Sequence, residues 1–98
     1  MIAPLGGTPA PGFPRTLVYA PAALRQLRKL PRAAQAAVVT ALETYAAGGA
    51  GDVRRLVNVR PPEYRLRVGD YRARFALTGA APDGAVEVLF IGNRREAY

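Results

Sequence analysis

Four arginines in the run YRLRVGDYRARF are spaced in a way that could bind negative charge. They are Arg65, Arg67, Arg72 and Arg74, and each alternates with an apolar or small residue. A guanidinium group binds phosphate oxygens through two parallel hydrogen bonds, and preorganised positive charge stabilises anionic transition states. These residues therefore predict contact with a polyanion, and a nucleic acid is the polyanion that suits arginine best.

The alternation around these arginines predicts a β-hairpin from Tyr64 to Phe75. Gly69 and Asp70 form its two-residue turn, with glycine first as a type II′ turn requires. This register places Arg67 opposite Arg72 and Arg65 opposite Arg74, and each like-charged pair destabilises the sheet by up to about 1 kcal/mol. An anionic ligand would offset that cost. The alternative is an ordinary solvated strand face that carries charge for solubility.

The helices and strands that must position this hairpin can be predicted from the spacing of apolar residues and from the prolines and glycines that end each element. Apolar residues at helical spacing predict two consecutive helices, which Pro31 separates and a glycine loop ends. Short apolar runs predict further strands before and after. The predicted elements are a strand at Arg15–Ala20, helices at Pro21–Leu30 and Pro31–Ala47, and a last strand at Val86–Ile91, interior to the sheet or covered on both faces.

The predicted fold class is α+β in the order β-α-α-β-β-β, with a helical hairpin packed on a largely antiparallel four-stranded sheet. Residues 15–98 form one domain, since 98 residues leave no room for two separate cores. Residues 1–14 hold four prolines and three glycines and no charge, and we expect a flexible N-terminal tail there.

Composition narrows the chemistry that this chain can perform. The net charge of +7 comes from thirteen Arg and one Lys against seven acids, and it favours nucleic acid, an anionic membrane surface or an acidic protein. The chain has no Cys, His or Ser, which excludes serine triads, thiol nucleophiles and zinc sites built on these residues. We expect no metal and no cofactor. No signal peptide or membrane span is evident, so a cytoplasmic protein without membrane contact is expected.

The runs YRLRVGDYRARF (64–75) and VLFIGNRREAY (88–98) resemble the RelE/ParE family of bacterial toxins, and the closing arginines and tyrosine favour its RelE branch. The resemblance covers residues 15–98 and implies a RelE-like microbial RNase fold. It also implies the toxin of a type II toxin–antitoxin system, a ribosome-dependent endoribonuclease that cuts mRNA in the ribosomal A site through the RNA 2′-OH. The implied partners are the ribosome, mRNA and a cognate antitoxin, expected to be acidic and helical, with DNA reached only through the antitoxin.

The RelE resemblance assigns catalytic roles to Arg65, Arg67, Arg72, Arg94 and Tyr98. Arg72 and Arg94 would contact the scissile phosphate, Arg65 and Arg67 would neutralise and position phosphates, and Tyr98 would stack on a base or assist proton transfer. The neighbouring basic residues extend the predicted RNA-binding area; they are Arg54, Arg55, Arg74 and Arg95.

Two departures from the RelE pattern bear on the mechanism. Some RelE-type enzymes carry Lys where this chain has Arg65 and Arg67, and arginine does not act as a general base because it stays protonated. Asn93 stands where a His is common in the family. Two alternatives therefore stay open: a ParE-like toxin that inhibits DNA gyrase without being a nuclease, and a plain nucleic-acid-binding module.

Overall fold

Two helices pack on one face of a five-stranded sheet in the computed structural model, which describes residues 10–80 and 84–94. The strand order is β1-β5-β4-β3-β2, with β1 parallel to β5 and every other pair antiparallel. The predicted α+β class is confirmed. The elements are β1 (Thr16–Tyr19), α1 (Pro21–Arg28), α2 (Arg32–Gly48), β2 (Val53–Arg55), β3 (Tyr64–Val68), β4 (Tyr71–Thr78) and β5 (Ala85–Asn93).

Both helices begin at a proline boundary and bury one apolar stripe. Pro21 occupies the first turn of α1. The backbone N–H groups of a first turn have no hydrogen-bond partner within the helix, so proline, which lacks an N–H, is tolerated there. α2 ends where Gly49 adopts a left-handed φ of 82° and donates its N–H to the Tyr45 carbonyl. In the described part of the chain, no helix is both long and apolar enough to cross a bilayer.

The core lies between the helices and one face of the sheet, and Phe75 is at its centre. The Phe75 side chain is fully buried, and its ring lies 5.0 Å from the Tyr45 ring of α2 and 5.6 Å from the Tyr64 ring of β3. The hydrophobic core residues from the sheet are Leu66, Ala73, Phe75, Val86, Val88 and Ile91. Alternation along β3 and β4 therefore directs the intervening arginines to the opposite face, which we call the open face.

The hairpin has the predicted register. Arg67 lies opposite Arg72 and Arg65 lies opposite Arg74. Gly69, the first residue of the turn, has a positive φ of 58°, and Asp70, the second, does not have a positive φ. This combination is that of a type II′ turn. The last strand is interior to the sheet, between β1 and β4, as its apolar sequence predicted.

The sheet has one strand more than the four that the sequence predicted. The additional strand, β2, contains only Val53–Arg55 and pairs with β3 at the edge of the sheet. Three residues with two charges carry no recognisable alternation of apolar and polar side chains. Their extended conformation is decided by the hydrogen bonds that β3 offers.

The end of the N-terminal segment is packed against α2. The Ala10 N–H donates to the Gly48 carbonyl over 2.9 Å, and the Phe13 ring meets the Tyr45 ring edge-on at 5.0 Å. Residues 10–14 of the predicted flexible tail therefore contact the domain, because Phe13 supplies apolar surface that the thin core can use. The prediction for residues 1–9 lies outside the described residues.

Arg15 links β1 to the connection between β4 and β5. Its Nη1 donates to the carbonyl oxygens of Thr78, Gly79 and Ala85 at 2.9, 3.1 and 3.4 Å. Its backbone N–H donates to Ala46 at 2.7 Å, so one residue joins α2, β1 and the far end of the sheet. This arginine has a structural role and takes no part in the open face.

We predict that Arg15→Met lowers the free energy of unfolding by about 1–3 kcal/mol, because three carbonyl groups lose a charged donor. Urea denaturation followed by circular dichroism measures this loss. Arg25→Met is the matched control. The Arg25 side chain is exposed on α1 and forms no hydrogen bond with the described residues, so its loss should change stability by no more than about 0.5 kcal/mol. Equal stability of the two variants would contradict the structural role of Arg15.

Candidate functional site

The open face of the sheet carries the hairpin arginines in two rows. Arg54, Arg65 and Arg74 are aligned across β2, β3 and β4, and Arg67 and Arg72 form a second row nearer the turn. No residue of either helix lies between them, because α1 and α2 pack on the Phe75 side. Arg67 is exposed and Arg65 is half-buried. The face therefore presents several positive charges at fixed strand spacings.

Arg72 is the most enclosed of these arginines, with only 6% of its surface exposed. Its Nη1 donates to the carbonyl oxygens of Gly69 and Tyr71, each at 2.9 Å. Its neighbour on β5 is Gly92, which has no side chain to compete for the space. The guanidinium is thus held against the turn by the hairpin's own backbone.

The electrostatic surroundings of Arg72 are positive. Burial lowers its pKa from the ordinary value, and the charges of Arg67, Arg65 and Arg94 lower it further, while Asp52 acts in the opposite direction. An arginine nevertheless stays protonated at neutral pH. The side chain therefore keeps its charge in surroundings that disfavour it, and a bound anion would relieve this repulsion.

Arg94 joins this group through a backbone contact at the end of β5. Its N–H donates to the Asp70 carbonyl over 2.8 Å, which brings the residue beside the hairpin turn. Asp70 and Arg94 are far apart in sequence, and only the pairing of β4 with β5 brings them together. We call Arg65, Arg67, Arg72 and Arg94 the arginine cluster.

The arginine cluster contains four of the five residues to which the resemblance assigned catalysis. The fifth, Tyr98, lies outside the described residues, as does Arg95 of the predicted RNA-binding set. Their roles stay predictions. The described part of the chain contains no group of three or more carboxylates that could hold a metal ion.

Arg74 differs from the other hairpin arginines because it has an acidic partner. Its Nη2 lies 2.7 Å from Oε1 of Glu63, and both side chains are partly buried, at 32% and 20% exposure. This ion pair neutralises Arg74 and leaves it less available to a phosphate. Sequence reasoning missed Glu63, since a single acid before a strand carries no signal of the direction in which it points.

Arg54 and Arg55, predicted together as RNA-binding residues, lie on different faces. Arg54 is opposite Arg65 and shares its face, whereas Arg55 is opposite Tyr64, whose ring packs on Phe75 in the core side of the sheet. Both arginines are exposed at the edge. The sequence could not separate them because β2 was not predicted, and alternation applies only within a strand.

The sequence of residues 17–98 matches the family described as the ParE toxin of type II toxin–antitoxin system, parDE. The chain belongs to this family. The match covers most of the chain, so the predicted membership of the RelE/ParE superfamily is confirmed, and the protein is the toxin of a type II toxin–antitoxin system.

The fold of the toxin is similar to that of a chain in the crystal structure of the archaeal RelE–RelB complex from Pyrococcus horikoshii OT3. The two share 19% sequence identity with a TM-score of 0.68, and the match covers 86% of this chain and 99% of that chain. This likeness shows the fold. No curated protein is similar enough in sequence to serve as a relative.

We predict that Arg67 contributes more than Arg74 to the salt dependence of binding to a single-stranded polyanion. Arg67→Gln should reduce the slope of log K against log salt concentration by about 0.7, the value for one phosphate contact with a single strand. Arg74→Gln should reduce the slope by less, because Glu63 already neutralises Arg74, and Glu63→Gln should increase it. Fluorescence anisotropy with labelled oligouridylate measures all three, and equal effects of the two arginine variants would contradict the assignment.

Proposed function

We propose that the toxin is a ribosome-dependent endoribonuclease that cleaves mRNA in the ribosomal A site, with the RNA 2′-OH as the nucleophile. The observation that supports this most directly is the convergence of Arg65, Arg67 and Arg94 around the enclosed Arg72 side chain. The resemblance to the RelE branch adds support, since it assigns catalysis to these same residues.

The reaction suits a site built from arginines. The 2′-OH loses its proton as its oxygen attacks the adjacent phosphorus, and the bond to the 5′-oxygen breaks. The leaving 5′-oxygen takes up a proton, so the products are a 2′,3′-cyclic phosphate and a 5′-hydroxyl. The RNA supplies the nucleophile, so the protein needs no Ser, Cys or His. Its task is to orient the phosphate and stabilise the extra charge of the pentacoordinate transition state, and each well-placed donor contributes a few kcal/mol.

Arg72 and Arg94 are the residues proposed to contact the scissile phosphate. The two Nη1 hydrogen bonds of Arg72 hold its guanidinium in place before substrate binds, which avoids reorganisation during the reaction. Arg94 is exposed beside the turn and can approach from the other side. Arg65 and Arg67 neutralise the flanking phosphates, and Tyr98 stacks on a base or assists proton transfer.

The proposed partners follow from this activity. The ribosome would position the message so that the 2′-OH lies in line with the phosphate. The reaction therefore takes place in the cytoplasm. An acidic, helical antitoxin would hold the toxin inactive, and the net charge of +7 and the RelE–RelB pairing of the structural neighbour support such a partner. Contact with DNA would arise only through that antitoxin.

Gyrase inhibition is the second candidate function, and the match to the ParE family over residues 17–98 favours it. In that case the arginine cluster would be a binding surface for a protein, without chemistry of its own. The two candidates share the fold and differ in the product, which is cleaved mRNA in one case and inhibited supercoiling in the other.

We predict that Arg94→Ala lowers mRNA cleavage on translating ribosomes by about 10²–10³-fold, the loss typical of one transition-state donor. Mapping of 5′ ends on the ribosome-bound message measures the cleavage. Arg28→Ala is the control, since Arg28 is an exposed arginine on α1, away from the open face. Arg72→Lys is a second test, because Lys can still reach the turn carbonyls but lacks the planar fork.

The result that would reject the nuclease is specific. It is an intact message on translating ribosomes together with inhibition of gyrase supercoiling by the wild-type toxin. Full cleavage by the Arg94→Ala variant would instead retain the nuclease and remove the arginine cluster from its mechanism.

A further inference from the structure

A cavity of about 390 Å³ lies on the open face beyond the hairpin arginines. We call it the proline pocket. The loop before β3 forms one wall, and residues of β4 and β5 form the floor. Its main lining residues are Pro61, Pro62, Glu63, Ala76, Glu87 and Leu89. The volume falls within the range of small-ligand sites.

The proline pocket adjoins the row of arginines. Ala76 follows Arg74 by two residues on the same side of β4, a distance of about 7 Å along a strand. Glu63 lines the pocket and also forms the ion pair with Arg74. An RNA strand that extends from the arginine cluster along β4 would pass the Glu63–Arg74 pair and reach the mouth of this pocket.

The chemistry of the lining specifies the kind of group that fits. The pocket has an apolar surface on which a planar, weakly hydrated ring could pack, and this surface is provided by Pro61, Pro62, Ala76 and Leu89. Glu87 lies opposite Ala76 and is half-buried, and it has no hydrogen-bond or ion-pair partner among residues 10–80 and 84–94. An ionised carboxylate only accepts hydrogen bonds. A ligand that fits the pocket should therefore be a planar ring with N–H donors along one edge.

We propose that the proline pocket binds one nucleobase of the RNA, whose amino edge donates to the Glu87 carboxylate. This proposal rests on the proposed action on RNA and adds a specificity site to it. Guanine, cytosine and adenine each carry an exocyclic amino group for such a contact. Proteins recognise bases in this way when a carboxylate oxygen accepts a hydrogen bond from the amino group. Uracil has no amino group, and its two carbonyl oxygens flank its single N–H and repel a carboxylate.

The test uses the full-length toxin and short oligouridylates in which one central base is varied. Fluorescence anisotropy should show that the wild type binds oligonucleotides with a central guanine, cytosine or adenine on the order of tenfold more tightly than all-uridine RNA. Glu87→Gln should remove this difference by strengthening the binding of uridine, because an amide can also donate to a carbonyl oxygen. Glu43→Gln makes the same charge change at an exposed position on α2 and should leave the preference as in the wild type.

A second variant tests the cavity without changing charge. Ala76→Leu places a larger side chain on the pocket floor, and it should reduce binding of all four oligonucleotides to one common level. Thermal unfolding by circular dichroism, compared with the wild type, shows whether both pocket variants are folded. A folded Ala76→Leu variant with the wild-type base preference would overturn the proposal.

The remaining outcomes separate the pocket from the nuclease. Equal affinity of the wild type for all four oligonucleotides, or no measurable binding to any, would overturn the pocket as a base site. An effect of Glu87→Gln on antitoxin affinity alone would also overturn it and would assign the cavity to a protein side chain. The cleavage assay on translating ribosomes tests the proposed nuclease activity separately, because cleavage does not require the pocket to prefer a base.

Discussion

The pairing of β3 with β4 is the constraint on which the rest of this structure depends. The turn at Gly69 and Asp70 sets the register, and the register directs Leu66 and Phe75 into the core while Arg65 and Arg67 go to the open face. A slip of one residue would exchange the two sets and bury charge. The same turn carbonyls hold Arg72, and the Asp70 carbonyl receives Arg94, so the register that forms the core also assembles the arginine cluster.

The arginine cluster is an arrangement that folding by itself does not favour. Like charges lie opposite each other across the hairpin, and burial adds to the difficulty at Arg72. The carbonyl groups of Gly69 and Tyr71 accept hydrogen bonds from Nη1 of Arg72, and Glu63 neutralises the neighbouring Arg74. Arg67, Arg72 and Arg94 keep positive charge concentrated near the turn, and this charge attracts anions.

The fold does not distinguish the RelE branch of the superfamily from the ParE branch, so the distinction must come from the residues of the site. The same helical hairpin and sheet carry a nuclease in the RelE branch and a gyrase inhibitor in the ParE branch, so architecture carries no information on the product. The distinction therefore rests on the arginine cluster, which Arg94 joins beside the turn because its N–H donates to the Asp70 carbonyl.

The sequence by itself determined the fold class, both helices, the hairpin and its register, because these follow from periodicity and from proline and glycine at short range. It also identified the hairpin arginines. The RelE resemblance assigned Arg94 to the site, and the tertiary structure decided that it lies beside the hairpin turn. Only the tertiary structure decided that Glu63 neutralises Arg74 and that Arg55 faces away from Arg54. The position of Arg94 depends on pairing between strands that are distant in sequence, and the orientation of Arg55 depends on a strand too short to show alternation. The Glu63–Arg74 contact depends on the direction in which a loop residue points. Local patterns carry no record of such contacts.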